Sequence, residues 1–337
     1  MTGGSFAAFA GTGSALPERV VPNSYFESLV DTSDEWIRDR TGIGTRRFVA
    51  EDENTSDLVV QAARAALESA GMSADQIDVL VVATFTPDRP LPAAAVIAQT
   101  KLGISCPAFD VNAACAGFSY ATSVGAGLIA SGAAERVMVV GADILSRKLD
   151  FSDRGTCVLF GDGAGAAMLQ VADEPGIMAS QLAADGRLAE VLTIPAGGVE
   201  HPVTPEAIER ADDKLHMTSG REVFKRAVVA MTDACRGLLD KAGVDPADVA
   251  LLIPHQANAR IITAVAERLG FGADRAVMDI ESIGNTSAAS IPIALDRAWR
   301  AGRIEPGELV LMVSFGAGMA WGAHLLRWTA GPPGTAR

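Results

Sequence analysis

Aromatic residues are scarce in this chain of 337 residues, at 5%, and cysteine and histidine occur only four times each. With 49% hydrophobic residues, the core must be aliphatic, and it is large enough for one big domain or two fused ones. Four cysteines in unlike contexts exclude a disulfide framework and favour a reducing, cytoplasmic compartment.

Basic residues are too few to offset the acidic ones. The net charge of −13 argues against nucleic acid as a partner, and any acidic partner must meet a local basic patch.

Long apolar runs are also missing. No stretch reaches the roughly 18 residues that a membrane span needs, so the sequence predicts no membrane insertion. The first twenty residues lack a basic segment before their apolar part, so we expect no signal peptide. The segment 331–337, which reads GPPGTAR, is predicted to be a flexible tail.

An internal repeat organises the rest of the chain. Residues 67–84 and 239–256 each read as a helix ending at Ala-Gly, a short turn and a buried aliphatic strand. The match continues through further helices and strands in the same order. Strands that alternate with helices predict an α/β fold. We therefore expect two pseudo-symmetric halves, 1–172 and 173–330.

The repeat predicts where chemistry would lie, because ligands of such sheets bind at the carboxyl ends of the strands. The predicted strand 108–111 is followed by a loop that holds Cys115. The equivalent predicted strand, 277–280, is followed by Asn285, and another strand ends just before His255. Pseudo-symmetry would bring these three loops together.

Each of these residues also has a purely structural interpretation. A thiol at a strand-to-helix turn can be a nucleophile whose pKa the helix start lowers, whereas Cys106, Cys157 and Cys235 read as core residues. His255 lies beside a helix that Asn258 could cap. Asn285 could simply form a turn or cap a helix.

The remaining histidines have simpler explanations. His201 and His216 lie in a polar segment and are expected to be exposed, and His324 is expected to pack inside the last strand. Two glycine motifs, GTGSAL (11–16) and GDGAGA (161–166), resemble nucleotide-binding turns. Neither is followed by a helical pattern, so they are weak evidence for a nicotinamide oxidoreductase.

Five longer motifs carry a resemblance to a known family: TSDEWIRDRTGIGTRR, DVNAACAGF, DRGTCVLFGDGAGAA, PHQANARI and GNTSAASIP. The chain resembles the thiolase-like condensing enzymes, and among them β-ketoacyl-[acyl-carrier-protein] synthase III, over nearly its whole length. The resemblance implies a duplicated, five-layered αβαβα fold. It also implies a condensing acyltransferase that initiates fatty-acid synthesis.

The resemblance assigns a role to each catalytic candidate. Cys115 would take the acyl group from an acyl-CoA, and malonyl-acyl-carrier protein would then lose carbon dioxide and condense with it. His255 and Asn285 would donate hydrogen bonds to the malonyl thioester oxygen. The backbone N–H groups of Cys115 and Ala317 would form a second oxyanion hole. No metal or cofactor is implied, since the CoA and pantetheine thioesters are substrates.

Binding residues also carry over from the resemblance. Trp36 and Arg154 match residues that sandwich the CoA adenine, and Arg40 matches a residue near the CoA phosphates. Arg260 matches part of a basic patch for the carrier protein, and Lys225 is its expected neighbour.

Two positions depart from the family pattern. Glu267 replaces a second base that some relatives have near the carrier-protein patch. Leu91 stands at an often aromatic position that helps wall the acyl pocket across a homodimer interface. The primer therefore stays open, as does the alternative of a secondary-metabolism relative that loads a starter unit or transfers an acyl group to another nucleophile.

Overall fold

A computed structural model describes residues 5–331 of the chain. Strands and helices alternate within this range. The strands are β1 Phe6–Ala15, β2 Arg19–Pro22, β3 Thr45–Phe48, β4 Val79–Ala83, β5 Ala108–Val111, β6 Arg136–Asp143, β7 Gly163–Ala172, β8 Ile177–Ala184, β9 Leu192–Thr193, β10 His216–Met217, β11 Val249–Pro254, β12 Leu309–Gly316 and β13 Ala320–Arg327. The helices are α1 Ser24–Glu27, α2 Asp34–Thr41, α3 Thr55–Ala70, α4 Ala94–Leu102, α5 Gly117–Ala130, α6 Arg154–Cys157, α7 Pro205–Glu209, α8 Gly220–Ala242, α9 Ala259–Leu269, α10 Ile280–Ile283 and α11 Ser290–Arg300. None of the helices in the described range combines the length and apolar character needed to cross a bilayer.

Two larger sheets share one strand order. The first runs β1-β7-β6-β4-β5 and the second runs β8-β13-β12-β11. Strand β4 pairs in parallel with β6 and with the edge strand β5, and β11, at the edge of the second sheet, pairs in parallel with β12. The remaining pairs, β7 with β1 and β6 and β13 with β8 and β12, are antiparallel. This common order is what a duplicated α/β unit produces.

The helices complete five layers. Helices α3 and α4 cover the outer face of the first sheet, and α8 and α9 cover the outer face of the second. Helices α5 and α11 contact both sheets and form the layer between them. The predicted αβαβα fold is therefore confirmed. The boundaries at 172 and 330 stay a prediction, and residues 332–337 of the expected tail lie outside the described range.

The strand expected over 277–280 is wrong. Only Ala276 pairs with the second sheet, through an isolated bridge to Leu252, and α10 already begins at Ile280. The side chain of Gln256 explains the interruption. Its Oε1 accepts hydrogen bonds from the N–H groups of Asp279 and Ile280, at 2.7 and 3.2 Å, so these amides are unavailable to a neighbouring strand.

The two glycine motifs do not form nucleotide-binding turns. Residues 11–15 lie inside β1, and residues 163–166 open β7. A Cβ on Gly11 would lie 2.6 Å from the backbone nitrogen of Ala70 in α3, and one on Gly165 would lie 2.7 Å from that of Ile293 in α11. These glycines therefore let helices pack closely onto strands. The strand–turn–helix arrangement of a dinucleotide site is not formed by either motif.

Candidate active site

Cys115 lies in a tight turn between β5 and α5. Asn112 Oδ1 accepts a hydrogen bond from the N–H of Ala114 at 3.2 Å, and Ala114 takes a left-handed φ of 45°. A 3₁₀ turn over Ala114–Ala116 follows, and α5 begins at Gly117. The small side chains around this turn leave the thiol against the protein interior, where Cys115 is 8% exposed.

Burial changes the ionisation expected for this thiol. The helix start predicted a lowered pKa, but burial raises the pKa of Cys115 to about 12. Cys115 is therefore a neutral thiol at neutral pH, which corrects the predicted lowering of its pKa.

The other three cysteines pack in hydrophobic clusters. Cys157 and Cys235 are fully buried, and Cys106 lies partly buried beside the outer layer of the first sheet. Burial raises the pKa of all three thiols. None of them lines a cavity that contains Cys115. Their packing agrees with the core interpretation.

His255 follows the end of β11 and is held as one tautomer. Its Nδ1 lies 2.6 Å from Ser290 Oγ, which also accepts a hydrogen bond from the N–H of Gln256 at 3.3 Å. The Ser290 hydroxyl can donate its proton to Nδ1, and in that arrangement the ring proton lies on Nε2. Burial lowers the pKa of His255 to about 3. The side chain is therefore a neutral imidazole with one N–H to donate.

The other histidines differ from His255 in their surroundings. His324 is buried between Ser180 Oγ and the carbonyl of Ser119, as its packed position in the last strand led us to expect. His201 is exposed. His216 was expected to be exposed but is half-buried, because its Nε2 lies 2.8 Å from the carbonyl oxygen of Ala211.

Asn285 is clamped by the first sheet's loops. The backbone N–H of Asn285 donates to the carbonyl of Leu159 at 2.9 Å, and the backbone carbonyl of Asn285 accepts from the N–H of Gly161 at 3.0 Å. The side-chain Oδ1 accepts from the N–H of Ser287 at 2.9 Å. With Oδ1 occupied, the two N–H bonds of Nδ2 remain for a ligand. The turn-forming and functional interpretations of Asn285 are thus compatible.

Two cavities meet at Cys115. The entry cavity, of about 260 Å³, reaches Trp36 and Arg40 near the surface and is also lined by His255 and Asn285. The second cavity, of about 780 Å³, is also lined by Cys115 and is called the inner cavity here; it opens to solvent beside the exposed Asn112, Gly197 and Gly198. Its apolar wall includes Phe85, Leu145, Phe160, Leu192, Ile194 and Leu215. His255 and Asn285 line the entry cavity but not the inner one.

The backbone beside Cys115 is set by Gly316 at the end of β12. An ideal Cβ on Gly316 would lie 2.7 Å from the nitrogen of Cys115, so a larger residue would push the strand away from the turn. Ala317, the next residue, lines the inner cavity together with Cys115. Among the described residues, no acceptor is hydrogen-bonded to the N–H of either Cys115 or Ala317.

The residues expected to bind CoA lie at the mouth of the entry cavity. The Arg154 guanidinium carbon is 4.7 Å from the centre of the Trp36 ring, and that of Arg40 is 5.6 Å away. Arg154 also donates to the carbonyl of Asp31 at 2.6 Å. At this separation Arg154 and Trp36 contact each other directly. A purine could lie between them only after Arg154 moved.

The expected carrier-protein residues flank the same mouth. Arg260, in the first turn of α9, is exposed but pairs with Asp39 at 3.0 Å. Lys225 is exposed on α8, next to Phe224, which lines the entry cavity. Leu91 is 83% exposed and lines neither cavity of its own chain.

Comparison with known proteins identifies the family. Residues 109–186 match the family described as 3-oxoacyl-[acyl-carrier-protein (ACP)] synthase III, and residues 239–328 match its C-terminal part. The β-ketoacyl-[acyl-carrier-protein] synthase III of Roseiflexus castenholzii is 48% identical over 329 residues, which cover 97% of this chain and 99% of that protein. This chain belongs to the 3-oxoacyl-[acyl-carrier-protein] synthase III family.

Solved structures agree with this assignment to synthase III. The 3-oxoacyl-[acyl-carrier-protein] synthase III of Aquifex aeolicus is 43% identical, with a TM-score of 0.88 over 96% of this chain and all of that one. The priming β-ketosynthase of the R1128 polyketide pathway is 36% identical, with a TM-score of 0.90 over 98% of both chains. Membership of the synthase III family makes the chain a condensing acyltransferase of fatty-acid synthesis.

The sequence did not indicate the residues that hydrogen-bond to His255 and Asn285 without lining the cavities. Ser290 orients His255, and Ser287 occupies the turn that holds Asn285. Asp143 is fully buried beside that turn. Both serines lie in the motif GNTSAASIP, but nothing in the sequence indicates which partners their side chains meet.

Proposed function

We propose that Cys115 is the nucleophile, on the observation that its thiol lies where the two cavities meet. An acyl-CoA enters past Trp36, Arg40 and Arg154, and the sulfur of Cys115 attacks the thioester carbonyl. The carbon–sulfur bond to CoA breaks, and the thiol proton ends on the departing CoA sulfur. The acyl chain then occupies the inner cavity. The free N–H groups of Cys115 and Ala317 stabilise the oxyanion that forms on the way.

Malonyl-acyl-carrier protein follows through the entry cavity. The bond to its carboxylate breaks, carbon dioxide leaves, and the electron pair passes to the thioester oxygen as an enolate. His255 Nε2–H and Asn285 Nδ2–H donate to that oxygen, because both line the entry cavity with these donors free. The enolate carbon attacks the acyl group, and Cys115 leaves as a thiolate that takes up a proton. The product is a 3-oxoacyl-carrier protein.

The two steps can be separated by mutation. We expect His255→Ala and Asn285→Ala to decarboxylate malonyl-carrier protein about 10²–10³ times more slowly, as the loss of an oxyanion donor does elsewhere. Loading of Cys115 from acyl-CoA, followed by intact-protein mass spectrometry, should change little. If either folded variant lost loading as severely as decarboxylation, the division of roles would be wrong.

The primer is decided by the inner cavity. Its apolar wall suits an alkyl chain, while the exposed Leu91 leaves part of the predicted wall to a partner chain. A starter unit other than a simple fatty acyl group remains the second candidate, since the structure of a polyketide priming synthase is closely similar. Mass spectrometry of Cys115 after exposure to a panel of acyl-CoAs distinguishes the two.

Carrier-protein docking is assigned to the rim formed by Arg260 and Lys225. The chain is acidic overall, so an acidic carrier protein needs this local positive charge to associate. The ion pair with Asp39 already offsets part of it. We expect Arg260→Glu to raise KM for malonyl-carrier protein several-fold and to leave acyl-CoA loading nearly unchanged. Arg268→Glu, eight residues further along the exposed side of α9, is the matched control and should alter neither.

A homodimer would complete the inner cavity. Strand β5 forms an edge of the first sheet with its backbone groups unpaired on one side, and Leu91 lies exposed in the loop after β4. A second copy of the chain that covered β5 and Leu91 would remove an aggregation-prone sheet edge. Its own Leu91 would complete the wall of the inner cavity. Light scattering should give twice the chain mass, and a monomer at micromolar concentration would overturn this proposal.

We place the enzyme in the cytoplasm and assign it no cofactor. Four free thiols suit a reducing compartment, and the thiol with two N–H donors suffices for both half-reactions. Fractionation of the source cells and assay of the enzyme after dialysis against a chelator test these two points.

A further inference from the structure

Asp143, at the end of β6, joins the loop after β4 to the segment between α10 and α11. Its Oδ1 accepts three hydrogen bonds from one loop: Thr84 Oγ1 at 3.1 Å, the N–H of Phe85 at 3.0 Å and Thr86 Oγ1 at 2.9 Å. Its Oδ2 accepts the N–H of Ala288, at 3.3 Å, from the other loop. The carboxylate is fully buried and lines neither cavity. It therefore contacts no substrate, yet it binds the turn that follows Asn285.

That turn is strained and needs support. Ser287 takes a φ of 52°, which is unfavourable for a residue with a side chain and persists only where the surroundings enforce it. The N–H of Ser287 is the group that holds Asn285 Oδ1, and the next N–H along the chain is the one that Asp143 accepts. The orientation of the Asn285 carboxamide thus depends on the same short piece of backbone that Asp143 anchors.

We propose that Asp143 is a positioning residue for Asn285, and through it for decarboxylation of the malonyl group. By holding the N–H of Ala288, the carboxylate keeps the Ser287 amide on Asn285 Oδ1 and so keeps Nδ2 directed into the entry cavity. This inference rests on the proposed role of Asn285. Burial raises the pKa of Asp143 to about 6, although the four hydrogen bonds that the carboxylate accepts act in the opposite direction.

The first test is the isosteric variant Asp143→Asn. An asparagine has one acceptor oxygen and one donor nitrogen, so it cannot accept from both loops, and its NH₂ must face an N–H or a hydroxyl. We expect carbon dioxide release from malonyl-carrier protein to fall about tenfold or more. Loading of Cys115 should stay within about twofold, because the negative charge of Asp143 raises the thiol pKa and its removal does not hinder attack.

A double-mutant comparison shows whether Asp143 acts through Asn285. If it does, Asp143→Asn combined with Asn285→Ala should decarboxylate no more slowly than Asn285→Ala alone, because the positioned group is already gone. A further tenfold loss in the double variant would overturn the proposal. If Asn285→Ala itself kept full decarboxylation, the proposed role of Asn285 would fail as well. The Asn285→Ala variant is measured without any change at Asp143. Failure of the proposed role of Asn285 can therefore be distinguished from failure of the proposal for Asp143.

Asp296→Asn separates positioning from plain stability. Asp296 is another buried carboxylate that joins the two halves, accepting from Thr12 Oγ1, Ser14 Oγ and Arg300 Nε, but it does not contact the Asn285 turn. We expect its variant to lower the melting temperature and to affect both half-reactions equally. Equal losses in Asp143→Asn would show that its role is structural only.

A second variant at the Asp143 site covers the case in which Asp143→Asn does not fold. Thr84→Val removes one donor to the carboxylate without adding a polar group. A smaller loss of decarboxylation with loading retained supports the proposal, and equal losses in both half-reactions overturn it.

Discussion

The turn that carries Cys115 and the turn that follows Asn285 share one backbone conformation and one hydrogen-bond pattern. In each, an asparagine Oδ1 accepts the N–H two residues ahead, and that residue has a left-handed φ, 45° for Ala114 and 52° for Ser287. A 3₁₀ turn and then a long helix follow in both. Every matched position differs by 173 residues. Cys115 therefore corresponds to Ala288.

The two turns differ in the groups that contact the backbone N–H of Cys115 and the backbone N–H of Ala288. A glycine of a central strand packs against each turn, Gly316 against Cys115 and Gly141 against Ala288. Two residues further on, one half has Gly318 and the other has Asp143. The carboxylate of Asp143 accepts the N–H of Ala288, whereas the N–H of Cys115 remains free. One backbone thus serves as a rigid support in one half and as a candidate oxyanion hole in the other.

The largest expected effect distinguishes the two turns by their chemistry. Cys115→Ala should abolish the acyl-enzyme, because no other thiol lines the cavities. Intact-protein mass spectrometry after incubation with acyl-CoA measures this loss. The variants Cys106→Ala, Cys157→Ala and Cys235→Ala should still load, and an acyl adduct mapped to any of these three positions would contradict the assignment.

A smaller effect is expected from a difference at the helix starts. Ser290, which corresponds to Gly117, fixes the tautomer of His255 through Nδ1. Ser290→Ala removes that proton donor, and the ring then loses its preference for Nε2–H. We expect decarboxylation to slow about tenfold, or about 1.4 kcal/mol in activation free energy, with loading unchanged. Ser290→Thr keeps the hydroxyl and should restore part of the rate, whereas equal rates for Ala and Thr would contradict the role.

The smallest effect tests whether the two turns act independently. Ala114→Gly and Ser287→Gly relieve a left-handed residue and should change the free energy of unfolding by no more than about 1 kcal/mol. The looser turns should slow loading in the first variant and decarboxylation in the second, each about two- to fivefold. Ser287→Ala serves as the control for loss of the hydroxyl. Slowing of both half-reactions by either glycine would show that the turns are coupled.

Much of this arrangement could be predicted because it is local or repeated. The spacing of strands and helices indicated the duplicated sheet, and the position of Cys115 between a strand and a helix separated it from three core cysteines. The prediction for 277–280 was wrong because the side chain of Gln256 takes two amides that a strand would have used. A local pattern carries no information about such a competitor.

By itself the sequence determined the alternation of strands and helices, the repeat, and the three loops that carry Cys115, His255 and Asn285. Hydrophobic periodicity and turn residues act over a few positions, so they can be recognised in one chain. Only the tertiary structure decided the neutral state of the thiol, the tautomer of His255 and the anchoring of the Asn285 turn by Asp143. Burial of Cys115 requires both halves, and the bonds to His255 and Asp143 join residues 35 and 145 positions apart. Such contacts exist only once the two sheets have packed around the central helices.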